Sequence, residues 1–393
     1  MKAFTVAFAA AYLLPGALAW GAAGHEIVAT IAQIHLHPST RQRLCEILPE
    51  RSKCHLATVA AWADTVRRYY PETAPMHYIN PMSDHPSDHC EYGEHGWLNE
   101  DVNVLTGIMN ETARIMAGQG DIPLRFLVHF MGDMHQPLHL TGRDKGGNGA
   151  MFLFEGHQRN LHSVWDSGLI TKKIREISNY TSPLPSRQIE DALPGAIFDP
   201  YVRWIVWEGI RQWWRDELPE WLTCPADGDP FPHSSISDIP ASTPDYLKNR
   251  ISRTAFSALN AVLPAWITIP FQLKYPVQMH ETHGFADQLL STHPAILNGS
   301  VVSTLSPDPQ LIKPVIPACP FSWSKPIHQL NCDIVWPKNY VPGRHIELDT
   351  KDYLGRIDSE KTLEKLLAMG GIRLASILNT ILGDETAALN LAY

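Results

Sequence analysis

Between Phe126 and Met134 apolar residues dominate, and His129 and Asp133 interrupt them four positions apart. That spacing predicts a helix with imidazole and carboxylate on one face. Pro137 predicts the end of this helix nearby, and His139 follows on the exit turn, close to the pair in space. Ile27, Ile31, Ile34 and Leu36 predict a helix near the start of the chain, with His25 at its beginning. An alanine-rich helix is expected from Thr58 to Arg68, placing Asp64 and Arg67 on one side. Met76 to Pro81 alternates as an extended segment does. Residues 98–117 read as a helix and Met151 to Phe154 as a short strand. His162 and Asp166 repeat the four-residue spacing. A helix over 201–218 carries Trp204, Trp207, Trp213 and Trp214, read as core packing. The helix from Thr362 to Leu382 places Leu363, Leu366, Leu367, Leu374, Ile377, Leu378 and Ile381 on an apolar face, and Gly383 can end it.

Between these elements, residues 142–149 are glycine-rich but lack the Gly-Lys-Ser/Thr ending of a phosphate-binding loop. Residues 225–318 change composition, from Pro, Ser and Asp to a mixed apolar stretch and then to irregular proline-rich sequence. They read as an insertion. The expectation is an all-α fold, one domain over residues 20–393, with this insertion at 225–318.

Hydrophobic residues make up 44% of the 393, ample for a core, while the formal charge of −9 excludes a simple basic surface that coats nucleic acid. An acidic chain can still act on phosphates if bound cations supply the positive charge. Lys2, the apolar run Ala3 to Leu14 and Ala17-Leu18-Ala19 predict a cleaved secretory leader over residues 1–19, leaving Trp20 first. The run is too short to span a bilayer and no other segment resembles a span, so secretion without an anchor is expected. In that setting the six cysteines are expected to form disulfides. Sequons at Asn110, Asn179 and Asn298 fit a secreted glycoprotein.

His129, Asp133 and His139 admit two readings. Two imidazoles and a carboxylate beside an apolar wall suit zinc, which takes nitrogen and oxygen ligands. The competing reading is a core helix with satisfied polar groups. The pair at His162 and Asp166, with outlying His25, Asp64 and His77, shifts the balance towards a metal. His35 and His37 read as surface or packing residues, since no carboxylate pairs with them at helical spacing.

The motifs Trp20-Gly-x-x-Gly-His25, Trp62-Ala-Asp64, His77-Tyr-Ile, His129-Phe-x-Gly-Asp133-x-His-Gln-Pro-Leu-His139, Gly146-Gly-Asn148 and Asn160-Leu-His162-x-x-Trp165-Asp166 stand in one order. With them the chain resembles the zinc-dependent single-strand nucleases of fungi and plants, which belong in one superfamily with the zinc phospholipases C of bacteria. The resemblance covers about 20–177 and resumes at 319–383. It implies three zinc ions in the cleft of a mainly helical domain. Asp64, His77, His129 and Asp133 match the ligands of the first, and His139, His162 and Asp166 those of the second. The free amine and carbonyl oxygen of Trp20, with His25 and a bridging Asp133, match those of the third. His135 and His157 match no ligand role and are left as surface residues or supports behind the ligands.

Under this resemblance Arg67 sits where the family carries a basic residue near the phosphate, and Tyr78 where it stacks a nucleobase. Asn80 departs from the aspartate that the well-known fungal members set against the base edge. Cys90 and Cys332 match cysteines that pair in the family. Cys224 and Cys319, each followed by proline, look like a pair closing the insertion, which leaves Cys45 and Cys54 as a local pair. The implied activity is a secreted, monomeric zinc endonuclease. It would cut single-stranded DNA and RNA to 5′-phosphate products by metal-activated hydroxide, with Asp64, Asp133 and Arg67 as catalytic groups. A phospholipase C-like phosphodiesterase and a catalytically dead secreted binding protein are the alternatives. Tyr78 and Arg67 weigh against the first, and the complete ligand set against the second.

Overall fold

The computed structural model describes residues 20–67, 69–230, 316–384, 386–389 and 391. The expected leader over 1–19, the sequon at Asn298 and the stretch 231–315 of the expected insertion lie outside the described residues. Helices α1 (Ala22–Ile34), α2 (Pro38–Ile47), α3 (Ala57–Ala60) and α4 (Trp62–Val66) come first. They are followed by α5 (Val104–Met116), α6 (Asp121–Met134), α7 (Leu161–Ser163), α8 (Ile170–Glu176) and α9 (Arg187–Glu190). Helices α10 (Asp199–Trp204), α11 (Leu218–Leu222), α12 (Pro320–Leu330), α13 (Leu354–Glu360) and α14 (Thr362–Leu382) complete the set. The one sheet among the described residues is an antiparallel hairpin, β1 (Met151–Phe154) with β2 (His157–Asn160), in which Met151 pairs with Asn160 and Phe154 with His157. The fold is thus mostly helical, as the pattern predicts.

Helices α1, α6 and α14 form the centre, each packed on the other two. A side chain at Gly371 of α14 would run into Ile31 of α1, so glycine is what lets these helices approach. By length and composition α14 could cross a membrane. Here it is a core helix, with Leu367, Leu374, Ile377 and Leu378 fully buried. Disulfides join Cys45 to Cys54, Cys90 to Cys332 and Cys224 to Cys319.

Several boundaries differ from the sequence reading. The helix expected over 58–68 is broken at Ala61 into α3 and α4. The helix expected over 98–117 starts only at Val104. Asn103 caps it, accepting from the Leu105 and Thr106 N–H groups while Thr106 Oγ1 accepts from the Asn103 N–H. Pro71 and Pro75 hold residues 71–77 in a 3₁₀ turn, so the extended run begins at Tyr78. The tryptophan helix passes from α10 into a wider π-helical stretch, Ile205–Trp213. Trp214 is buried there, but Trp213 is 43% exposed, with the Lys361 ammonium 5.7 Å from its ring centre, so it is not core.

Candidate metal centre

Six local elements deliver the eight predicted His and Asp residues to one buried cluster. His25 comes from the first turn of α1 and Asp64 from α4. His77 ends the 3₁₀ turn, and His129 and Asp133 lie one turn apart on α6. His139 lies on the 3₁₀ turn Pro137–Leu140 that follows α6. His162 and Asp166 lie on α7 and its π-helical continuation. Gly132 permits the approach of α1, because a Cβ there would strike the His25 ring.

Asp133 is the hub. Its Oδ2 lies 3.0 Å from His77 Nδ1 and 3.3 Å from His129 Nε2. Its Oδ1 lies 3.4 Å from His139 Nδ1 and 3.5 Å from His25 Nε2. Asp64 Oδ1 is 3.8 Å from His129 Nε2 and 3.9 Å from His77 Nδ1. The His25 and His129 rings stack with centres 3.7 Å apart. On the far side of His139, His162 Nε2 is 3.1 Å from Asp166 Oδ2.

Three of these imidazoles are fixed by backbone carbonyls. Nδ1 of His129 donates to Ala60 O at 2.7 Å, that of His139 to His77 O at 2.6 Å and that of His162 to Gly146 O at 2.6 Å. A carbonyl only accepts, so in the neutral form of each ring Nδ1 carries the proton and Nε2 keeps its lone pair. What remains is a set of buried polar atoms without hydrogen-bond partners: both nitrogens of His25, Nε2 of His77 and His139, and Oδ1 of Asp64 and Asp133. Orphaned buried donors and acceptors are costly and rare, and six converging in one place call for an ion.

The electrostatics agree. Burial pushes the His77 and His129 pKa values down to about 4, and those of His25 and His139 well below the ordinary value. Their imidazoles are therefore neutral, the form that ligates. Burial raises the carboxyls of Asp64, Asp133 and Asp166, and for Asp133 the neighbouring Asp64 and Asp166 add to the rise. Burial alone would lower His162, but Asp166 beside it reverses the sign and the net shift is upward. Cations placed among these carboxylates would invert their shifts.

Three trios have donor atoms within 4.8 Å of one another: His25, Asp64 and His129; His77, His129 and Asp133; His139, His162 and Asp166. The first two overlap at His129 and together contain the four expected ligands of the first ion. The third is the expected second site. These are nitrogen and oxygen donors of the kinds zinc takes, so the residues fit that metal. A fourth trio, Asp84, Cys90 and His328, offers no thiolate, because Cys90 is bonded to Cys332.

The family model of the S1/P1 nucleases matches residues 20–227, a span that contains every residue of the cluster. The chain belongs to the S1/P1 nuclease family. It is 33% identical over 229 residues to Endonuclease 2 of Arabidopsis thaliana, covering 54% of this chain and 71% of that protein. Over 162 residues it is 35% identical to Nuclease P1 of Penicillium citrinum, covering 39% of this chain and 60% of that one. Over 160 residues it is 35% identical to Nuclease S1 of Aspergillus oryzae, covering 38% and 54%.

Of the remaining predicted residues of this S1/P1 family member, Trp20, Arg67, Tyr78 and Asn80 adjoin the cluster. Trp20 is fully buried, and the next residue, Gly21, donates its N–H to the backbone oxygen of Asp166 at 2.8 Å. Arg67 is half-buried after α4, and its charge acts on Asp64, His77, His129 and Asp133. Tyr78 and Asn80 are half-buried on the extended run, which is pinned to the cluster where Ile79 N–H donates to His139 O at 2.8 Å. Asn80 lies against Gly142, where an added Cβ would stand 3.4 Å from its own. Asn110 and Asn179 are exposed, whereas Thr112 of the first sequon is buried and donates to Ile108 O. His157 is exposed on β2.

Gln136 went unread in the sequence. Of the two alternatives left for His135, surface residue or support behind the ligands, its full burial excludes the first. Its Nδ1 donates to Met131 O, and its Nε2 accepts from Arg373 at 2.9 Å. Gln136 is also buried and reaches Asp166 with its side chain. Its place between Asp133 and His139, in the run Asp133-Met-His-Gln-Pro-Leu-His139, was the available signal.

Proposed function

We propose that this protein is a secreted zinc-dependent endonuclease that hydrolyses phosphodiester bonds of single-stranded DNA and RNA to 5′-phosphate products. One observation carries the reading: the buried imidazole and carboxylate atoms without partners that converge around Asp133. Asp64, His77, His129 and Asp133 would hold one zinc, and His139, His162 and Asp166 a second. The amine and carbonyl of Trp20, with His25 and the shared Asp133, would hold a third. Zinc held there would supply Lewis acidity towards a phosphoryl oxygen and would make hydroxide available near neutrality.

In the reaction the oxygen of water bonds to phosphorus and the P–O3′ bond breaks. The departing oxygen takes a proton, and the phosphate stays on the 5′ carbon. The chain's residues direct this chemistry. Asp133 ties the histidine groups together and offsets cationic charge. Arg67 faces the charge that develops on the phosphoryl group. Tyr78 offers a partly open ring next to the cluster, and stacking tolerates any unpaired base. Asn80 both donates and accepts at the base edge, where an aspartate only accepts.

Secretion is consistent with three disulfides and with the leader-like sequence at 1–19. We take residues 20–393 as one domain with an insertion at 225–318, acting as a monomer without a membrane anchor after leader cleavage. The test pairs zinc analysis of the purified protein with hydrolysis of denatured DNA, duplex DNA and RNA. Bound zinc with preference for denatured DNA and RNA is expected. Zinc-free protein, or action on phospholipid and not on nucleic acid, would overturn the reading.

A further inference from the structure

Gln136 stands midway between Asp133 and His139 and is fully buried. Its carboxamide has one orientation. The Leu138 N–H can only donate, and it lies 2.6 Å from one terminal atom, which must therefore be the carbonyl Oε1. The other terminal atom is the NH₂ group, and it lies 2.6 Å from Asp166 Oδ1. Asp166 Oδ2 then faces His162 Nε2 at 3.1 Å, in the pocket where His139 Nε2 has no partner. From the other side Gly21 N–H holds the backbone carbonyl of Asp166.

We propose that Gln136 is a positioning residue for the pocket of His139, His162 and Asp166. It engages Oδ1 of Asp166 and so presents Oδ2 as the single oxygen offered to a metal. This inference rests on the metal reading above and adds to it how one site is oriented. A free Asp166 carboxylate could rotate away from the two histidines, or turn both oxygens inwards. The Gln136 amide, itself clamped by the Leu138 N–H, blocks both movements. Groups that orient a ligand commonly change metal affinity by about 10–100-fold when removed.

Two substitutions test this in the full chain. Gln136→Met removes both hydrogen bonds at similar size. Gln136→Glu keeps the acceptor for the Leu138 N–H but sets a carboxylate against Asp166 Oδ1. It decides the matter if the methionine variant is not recovered folded. Zinc per chain is measured across a series of buffered free-zinc concentrations, with the melting temperature of the metal-free form beside it. The expected result is one zinc that needs about 10–100-fold more free zinc to bind, while the others bind as in the unsubstituted chain. Unchanged zinc binding in both variants overturns the proposal, even if the melting temperature falls. So does a parallel weakening of every zinc, which would make Gln136 a support for the whole cluster. An unsubstituted chain that takes up no zinc would instead refute the metal reading, so the two failures are distinguishable.

Discussion

Replacing Asp133 with asparagine should move stability in opposite directions with and without metal. The carboxylate lies 3.0–3.5 Å from nitrogens of His77, His129, His139 and His25 and is wholly buried. A unit charge about 4 Å from another is worth ~4 kcal/mol at an effective dielectric near 20. Zinc carries two such charges, so removing this carboxylate charge should weaken each bordering zinc by at least roughly a thousandfold, at ~1.4 kcal/mol per decade. Without metal the sign reverses. Burial holds the Asp133 carboxyl well above its ordinary value. As pH rises past the ordinary carboxylate range, the unfolded chain releases a proton that the folded chain retains. Metal-free stability is therefore highest below that range and falls as pH climbs towards the raised value. Asparagine removes this penalty and keeps the shape. Metal-free D133N should melt above metal-free wild type at neutral pH, and zinc-treated D133N below zinc-treated wild type. Scanning calorimetry with and without chelator, zinc analysis at fixed free zinc and hydrolysis of denatured DNA measure all three effects. A variant that melts lower in both states, or that keeps full zinc and normal turnover, would refute the reasoning.

Other expectations follow from the same geometry. Tyr78→Ala should weaken binding of short single strands by about 1–3 kcal/mol per stacked base and leave zinc content alone; unchanged affinity would reassign Tyr78 to packing. Acidification should empty the His139–His162–Asp166 pocket before the rest. His162 is shifted upward and protonates first, whereas His77 and His129 keep their lone pairs until about pH 4. Zinc per chain after dialysis at stepped pH should therefore fall in two stages, and a single loss near pH 6.5 would contradict this. A form beginning at Trp20 should hold one zinc more than a form with one alanine in front of it, because a free amine can ligate and an amide nitrogen cannot. Equal zinc in the two forms would remove Trp20 from the ligand set.

The sequence announces the helix of His129 and Asp133 because helical period and chemistry coincide there: two polar residues one turn apart in an apolar run cannot be surface decoration. α14 is legible for the same reason. The break at Ala61 is not, since alanine favours helix on either side of it and the cause is tertiary. The Ala60 carbonyl just before the break accepts from His129 Nδ1, a residue 69 positions away. The π-helical turns around Asp166 and Trp207 also escape periodicity, because their extra residue per turn is set by what they pack against. Gln136 drew no reading of its own from the sequence because its partner Asp166 is 30 positions on. Residue types announce the candidate ligands, while a neighbour such as Gln136 is recognisable only by its contacts.

The distribution of the cluster along the chain also bears on its biosynthesis. Every residue of the cluster lies between positions 20 and 166, yet α14, which packs on both α1 and α6, spans 362–382. Arg373 on that helix holds His135, two residues past Asp133, and the partner of Cys90 is Cys332. Chains emerge from the ribosome N-terminus first. One that has released every residue of the cluster thus still lacks the helix that encloses them and the cysteine that ties down the loop after Asn80. The packing that encloses the cluster is therefore complete only once the last long helix of the chain has been made.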